Sequence, residues 1–325
     1  MTPLERALRD RIQAEGPISV EAFMEACNAY YYATRDPLGA AGDFTTAPEI
    51  SQMFGEIIGA ALADCWKRAG APSEAIFVEL GGGRGTLASD AMRVLRSAGF
   101  PGETHLVETS PVLREAQGNA LANARFHDEI ASLPPKATLL VANEFLDALP
   151  VRQFVSGRER RVMIATGGLA FDRDGEIAED SPAREEAVIA IAAQLVRTGG
   201  TALLIDYGHV RNAPGDTLQA VRSHRFAPVL ANPGEQDLTA HVDFESVVSK
   251  AREAGAGVTS VETQGDWLMR LGIESRAQAL SRANPERATD IEAALKRLTG
   301  KDEMGTLFKV VAIHAPDWPT PAGFE

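Results

Sequence analysis

Cysteine is scarce: Cys27 and Cys65 are the only two in 325 residues. Two thiols cannot staple a chain of this length, and neither has CxxC or Cys/His spacing, so a disulfide scaffold and a metal site are both excluded. Both read as small buried apolar side chains. Positive charge is short as well, with 32 Lys plus Arg against 45 Asp plus Glu and a formal charge of −13. Such a surface repels a phosphate backbone or an anionic leaflet, so nucleic acid is not an expected partner. The densest basic run, Arg158, Arg160 and Arg161, sits at a predicted turn and reads as a solvated face. No stretch reaches the ~20 apolar residues that cross a bilayer, so no membrane insertion is expected. Met1 to Asp10 is charged and has no apolar h-region, which gives the expectation of a cytoplasmic protein.

What is present is an ordinary globular composition, 45% apolar and 24% charged, without repeats or low-complexity tracts. Residues 1–70 read as an N-terminal helical segment packed on a core. Ser19 caps a helix through Ala26, and Thr46 to Glu49 has the form of a capping box. Ile50, Met53, Phe54, Ile57, Ile58, Ala61, Leu62, Cys65 and Trp66 then fall on one helical stripe facing a larger body. From residue 71 to 208 the pattern is that of an α/β core, with strands at Ile76 to Leu80, His105 to Glu108, Ala137 to Ala142 and Thr201 to Asp206, and a weaker one at Ala124 to His127. Alternation between Val151 and Phe171 predicts inserted hairpins leaning over the active face. An irregular stretch then runs to about residue 240. Residues 209–303 read as a loop and helical cap containing one core strand, with helices over Phe244 to Ala254, Asp266 to Leu271 and Arg276 to Leu298. Val258 to Glu262 and Leu307 to His314 are strand candidates. Residues 304–325 hold the last strand and, from Pro316, a loose tail.

The sharpest motif is Glu79-Leu-Gly81-Gly82-Gly83-Arg84-Gly85, which leaves a strand, turns on glycines and enters a helix. Glycine permits positive φ and lets a ligand approach bare backbone, while the free N–H groups of a helix start favour an anionic group. Two ligands compete for this loop. A dinucleotide fingerprint fits Gly83, Gly85 and Ala88, with Glu108 as the ribose-binding acid. The spacing Glu79-x-Gly81-x-Gly83-x-Gly85 is instead the acid–glycine signature of S-adenosylmethionine (SAM) methyltransferases. The second reading uses every glycine and gives Glu79 a partner, the ammonium of the methionine portion. Glu108 serves ribose hydroxyls in either case.

The fourth strand delivers Asn143, Glu144 and Asp147 beside the first, at the sheet position where a crevice opens. Glu144, flanked by an apolar strand and Phe145, reads as an active-face acid. Asp147 reads equally as a helix cap or a functional carboxylate.

Tyr31-Tyr32, Gly42-Asp43-Phe44-Thr45-Thr46-Ala47-Pro48-Glu49-Ile50-Ser51-Gln52, Glu79-Leu80-Gly81, Asn143-Glu144-Phe145-Leu146-Asp147-Ala148, Asp206-Tyr207-Gly208, Gln236-Asp237-Leu238-Thr239-Ala240-His241-Val242-Asp243 and Thr263-Gln264-Gly265 together resemble the MidA family. The resemblance spans Tyr31 to about Val311. The mitochondrial members of that family are complex I assembly factors and class I SAM-dependent methyltransferases acting on arginine of a complex I subunit. The resemblance therefore implies a Rossmann-like, mostly parallel seven-stranded sheet with N-terminal helices and a helical and hairpin cap. It further implies SAM as methyl donor and symmetric dimethylation of an arginine in a protein substrate, a subunit of NADH dehydrogenase.

On this resemblance Glu79, Gly81, Gly83, Gly85, Glu108 and Asn143 are expected to bind the donor, with Asp43 and Thr45 closing over it. Glu144 and Asp147 would clamp the guanidinium, and Asp147 or His241 would accept the released proton. His241 is expected to be oriented by Asp237 and Asp243, or else to be a structural histidine. Tyr30, Tyr31 and Tyr32 read as an aromatic wall or as packing. Three rivals remain: an NAD-type oxidoreductase on a similar sheet, a non-catalytic assembly chaperone on a methyltransferase fold, and, through Asn143, an adenine methyltransferase. Glu144 and the acidic charge oppose the last.

Overall fold

The computed structural model describes residues 1–36, 39, 42–43 and 45–324; Phe44 of the Gly42 to Gln52 motif and the last residue of the tail, Glu325, lie outside them. Two helices, α1 (Pro3–Glu15) and α2 (Val20–Thr34), open the chain. Ser19 caps α2 as the sequence predicts, its hydroxyl accepting from Ala22 N–H, and the helix runs well past Ala26 to Thr34. The predicted capping box does not form. Thr46 makes no side-chain cap, only a single turn (Ala47–Ile50) follows it, and Ser51 instead caps α3 (Gln52–Arg68) through Met53 N–H. Glu49 is drawn away by Thr86, whose hydroxyl donates to it at 2.7 Å; a tertiary bond replaces the local one.

The central sheet is built from β1 (Ile76–Leu80), β2 (Thr104–Val107), β3 (Arg125–His127), β4 (Thr138–Asn143), β5 (Gly200–His209) and β6 (Phe308–His314). Its order is β3-β2-β1-β4-β5-β6, continued by Gly257–Val258, with β1 to β5 parallel and β6 antiparallel. That makes seven strands along the path; the two-residue strands Val242–Asp243 and Glu262–Thr263 attach to β5 and β6. The chain runs outward from β1 to β3 and returns beside β1 as β4. The carboxyl ends of β1 and β4 therefore flank a topological switch point, where open α/β sheets bind ligands.

Both faces of the sheet are covered, so the middles of its central strands β1, β4 and β5 are apolar, and alternate residues feed two cores. Phe77, Leu139, Val141 and Leu203 face α3 and α4 (Thr86–Ser97), while Val78, Leu80, Leu140 and Leu204 face the helix Pro182–Thr198. Helices α3 and α4 cross closely because α3 has no side chain at the crossing: a Cβ on Gly59 would lie 2.6 Å from the Ala91 carbonyl oxygen.

A third apolar cluster explains where the N-terminal segment goes. Leu8, Ile12, Phe23, Met24 and Cys27 pack with Val162, Leu218 and Leu238 rather than on the central helices. Each such full burial of a large side chain contributes about 1.5–3 kcal/mol. The hairpins predicted over Val151 to Phe171 are present as Arg152–Val155, Arg158–Glu159, Arg161–Ala165 and Gly168–Phe171. None of their residues lines the crevice, and one strand pairs with Ile18–Ser19, the two residues that precede α2. Nor is their basic run a solvated face throughout. Arg160 is buried, stacks on the Phe171 ring at 3.6 Å and pairs with Asp216 at 3.0 Å.

Other expectations also change. The stretch to residue 240 is not irregular but carries a three-stranded antiparallel sheet, Gln219–Arg222, Arg225–Ala227 and Asp237–Thr239. The helix predicted over Arg276 to Leu298 is two helices, Ile273–Ala283 and Ala288–Thr299, broken at Asn284 and Pro285 because proline removes a donor and restricts the residue before it. The tail is packed: Phe324 lies against the Trp267 ring at 5.9 Å and Arg68 Nη2 donates to Thr320 O at 2.7 Å. Both cysteines are buried and free, as expected.

Candidate active site

A cavity of about 960 Å³ opens at the carboxyl ends of β1, β2 and β4. One end is the glycine loop. Gly81, Gly83 and Gly85 have φ of +61°, +52° and +82°, a region side chains avoid. Gly85 stands at the N-cap of α4 with no side chain to offer, and Glu79 supplies the missing acceptor from β1: its Oε2 takes Ala88 N–H at 3.2 Å. Glu79 is 3% exposed, and burial pushes its carboxyl up to about 8.

Glu108 follows β2 and is held by two donors, Ser110 N–H at 2.8 Å and Gln117 Nε2 at 3.3 Å. Gln117 also donates to Gly83 O at 2.8 Å, so one side chain on α5 (Pro111–Ala120) ties the glycine loop to the second acid. Sequence reasoning missed Gln117; its spacing from Glu108 carries no recognised motif.

The other end is acidic. Glu144 adopts φ +51°, an unusual conformation for a residue with a side chain. Its Oε1 accepts from Ala47 N–H at 3.2 Å and Asn143 Nδ2 at 3.1 Å. Burial, and then the neighbouring Asp147, raise its carboxyl to about 8. Asn143 Oδ1 and Asp147 Oδ1 are buried without partners. Burial raises the Asp147 carboxyl while the Tyr207 hydroxyl beside it acts in the opposite sense. Asp237, not singled out by the sequence except as a prop for His241, lies in the same wall and accepts the Tyr32 hydroxyl at 2.7 Å.

The remaining expectations divide. Thr45 lines the cavity. Asp43 does not, and both its oxygens are taken up by the fold, Oδ2 by the Tyr31 hydroxyl at 2.6 Å and Oδ1 by Ser223 N–H at 2.7 Å. In this structure it ties Tyr31 to Ser223. His241 lines the cavity edge-on to Tyr207 at 5.5 Å, and burial lowers its pKa. Neither predicted aspartate orients it: Asp237 holds Tyr32, and Asp243 caps the next helix through Glu245 and Ser246 N–H. Of the three consecutive tyrosines only Tyr32 faces the cavity, joined there by Tyr207 and Phe226. Asp147 caps no helix; its backbone N–H and that of Leu146 donate to Asp206 Oδ2. Among the described residues no cluster of three metal-ligating side chains occurs and no helix is long and apolar enough to cross a membrane.

The sheet order, the glycine loop at the switch point and acids closing β1 and β2 define a class I SAM-dependent methyltransferase. A family model described as a putative S-adenosyl-L-methionine-dependent methyltransferase matches residues 57–167 and 163–262. The chain is 34% identical to the mitochondrial protein arginine methyltransferase NDUFAF7 homolog of Drosophila melanogaster, over 99% of this chain and 88% of that one. It is 31% identical to the mitochondrial NDUFAF7 of Homo sapiens, over 86% of this chain and 76% of that one. A COG1565 superfamily protein from Burkholderia thailandensis, bound to S-adenosyl-homocysteine, superposes with a TM-score of 0.83 at 27% identity, covering 99% of this chain and 92% of that chain. The chain thus belongs to the MidA/NDUFAF7 family of SAM-dependent methyltransferases. The expectation of a cytoplasmic location is overturned by these relatives, which are mitochondrial.

The cavity suits SAM on its own evidence. Bare glycine backbone, a buried carboxylate behind it, a second acid at the end of β2 and the unpartnered Asn143 Oδ1 together match a ligand carrying an ammonium, a carboxylate and a ribose.

Proposed function

We propose that this protein methylates arginine in a protein substrate, by symmetric dimethylation of a subunit of NADH dehydrogenase. The observation that supports this reading is the pairing of ends in one cavity. A glycine loop at one end opens into a chamber walled by Glu144, Asp147 and Asp237, while the wall's one arginine, Arg84, is bound to Asp36 at 2.7 Å beside the glycine loop. Arg184, behind the wall, lowers the Asp147 carboxyl but hydrogen-bonds only carbonyls, and a cation entering the chamber stabilises these buried acids further.

In this reading Glu79 and Asn143 hold the amino-acid end of SAM, Gly81, Gly83 and Gly85 admit it to the backbone, and Glu108, steadied by Gln117, holds the ribose. When bound, SAM supplies a methyl group on a positively charged sulfur. Thr45 lines the cavity, and Tyr32 and Tyr207 stand beside Asp237 and Asp147 at the acceptor end. A guanidinium is charged at any physiological pH, so the protein must position one nitrogen and localise the charge instead of deprotonating it first. Glu144 and Asp147 do so from one loop. Each nitrogen that is methylated sheds a proton. Asp147 Oδ1, which has no protein partner, receives it, with His241, kept neutral by burial, as the second acceptor.

The test is transfer of labelled methyl from SAM to the subunits of NADH dehydrogenase, followed by mass spectrometry of the modified peptide. Label on arginine, one methyl on each terminal nitrogen, is expected. Label on lysine or glutamine alone would end the arginine reading.

A further inference from the structure

The acceptor end of the cavity has a second acidic wall, supplied by a different part of the chain from the Glu144 loop. Asp237 opens the strand Asp237–Thr239 and is 5% exposed. Among the described residues only the Tyr32 hydroxyl donates to its carboxylate, at Oδ1. Across from it Asp147, also 5% exposed, keeps Oδ1 without any partner. The two carboxylates feel each other: after burial, the charge of Asp147 is the next cause that raises Asp237, to about 7.

The backbones carrying these acids are bolted together. Ala240 N–H donates to Asp147 O at 3.0 Å. Asn28 Nδ2 donates to Ala148 O at 2.9 Å and to Leu238 O at 2.8 Å. Arg184, buried between the two segments, donates to the carbonyls of Leu146, Asp147, Ala240 and His241 and to no carboxylate. The charge of Arg184 lowers the Asp147 carboxyl, but its donors are spent on backbone carbonyls, so the cavity side of both buried acids is left for a ligand cation to stabilise. Rigid support of this kind also fixes direction, as a binding constellation requires.

The chemistry selects the cation. A guanidinium is planar and offers N–H donors along separate edges, so carboxylates converging from two segments can each take one, and its faces stack on aromatic rings. Tyr32 and Tyr207 line this end of the cavity. An ammonium has neither separate edges nor flat faces.

We propose that Asp237 and Asp147 form a two-segment guanidinium grip, making Asp237 a substrate-binding and specificity-determining residue of the acceptor site, an inference that rests on the arginine reading above. Glu144 then faces the nitrogen nearer the donor while Asp147 and Asp237 hold the other edges.

The full chain, saturated with S-adenosylhomocysteine, is titrated calorimetrically with an arginine peptide and with its lysine counterpart. Wild type is expected to prefer arginine. Asp237→Asn should weaken arginine-peptide binding by about tenfold or more, and erode the preference over lysine, while leaving S-adenosylhomocysteine affinity unchanged; Asp237→Glu should recover part of the loss. A measurement on the unmutated protein guards against misfolding. The carboxyl ¹³C titration of Asp237 should move down from about 7 when the arginine peptide is added, because a neighbouring cation favours the ionised form. Equal arginine affinity in wild type and Asp237→Asn, or an Asp237 titration that the peptide leaves in place, overturns the grip alone. A wild-type protein that binds S-adenosylhomocysteine but no arginine peptide overturns the arginine reading and the grip together.

Discussion

Glu79 is a carboxyl group kept at a cost in the folded protein, and that cost can be measured. It stands at 3% exposure near the end of β1, with one oxygen on Ala88 N–H and no ion-pair partner among the described residues. Gly82 closes over it, since a Cβ there would lie 2.8 Å from Oε2. Burial raises the group from 4.5 to about 8. The folded chain therefore holds this proton more tightly than the unfolded chain. The sign follows: the contribution to stability is complete below about pH 4.5 and is lost as pH rises to about 8. A tenfold change in proton affinity is worth about 1.4 kcal/mol, which sets an upper value of about 5 kcal/mol for the loss.

Glu79→Gln keeps the shape, removes the charge and retains an oxygen for Ala88 N–H. Urea unfolding of both proteins without cofactor, at steps from pH 5 to pH 8, reads the difference in free energy. The variant should gain on wild type with rising pH, by about 3–4 kcal/mol between pH 5 and pH 8. Its affinity for S-adenosylhomocysteine should fall by about tenfold or more, because a charge-assisted bond to the ammonium is gone. A stability gap that stays constant with pH would refute the reasoning, for it would mean that the buried group titrates alike in the folded and unfolded chains.

Arg184→Met should destabilise the fold by about 3–5 kcal/mol in urea unfolding, since four buried carbonyls lose their donor. Gln117→Ala should destabilise by about 1–3 kcal/mol in urea unfolding and weaken S-adenosylhomocysteine binding about tenfold in calorimetry, because Gly83 O and Glu108 Oε2 lose a shared buried donor. Glu144→Gly should raise the melting temperature, relieving about 1 kcal/mol of strain at φ +51°, while methyl transfer falls by about a hundredfold.

Legibility in the sequence followed the range of the forces involved. Strands β1, β4 and β5 are short apolar runs buried on both faces, and the helix stripe from Met53 to Trp66 repeats every turn; both patterns are local and both were readable. The glycine loop was readable because positive φ at three nearby positions leaves a compositional mark. The capping box at Thr46 misled because Glu49 had a better partner, Thr86, some 37 residues away. The sheet spanning Gln219–Thr239 was missed because its strands are three or four residues long and its central strand, Gln219–Arg222, is satisfied by pairing on both sides rather than by any alternation strong enough to stand out.

The same distinction separates the two ends of the cavity. The donor end is assembled from residues close in sequence, Glu79 to Ala88, and its chemistry can be read as a word. The acceptor end needs Asp147 and Asp237, 90 positions apart in the numbering, and nothing in either neighbourhood states that they meet. They meet because Asn28 and Arg184 hydrogen-bond the backbone around each. Asparagine and arginine at those places look like surface residues of a helix until their partners are known. A fold that binds one cofactor can thus change its acceptor by altering which acids a few buried donors bring together, without touching the glycine loop, and for that reason the methyl acceptor has to be argued from the framed carboxylates and not from the fold.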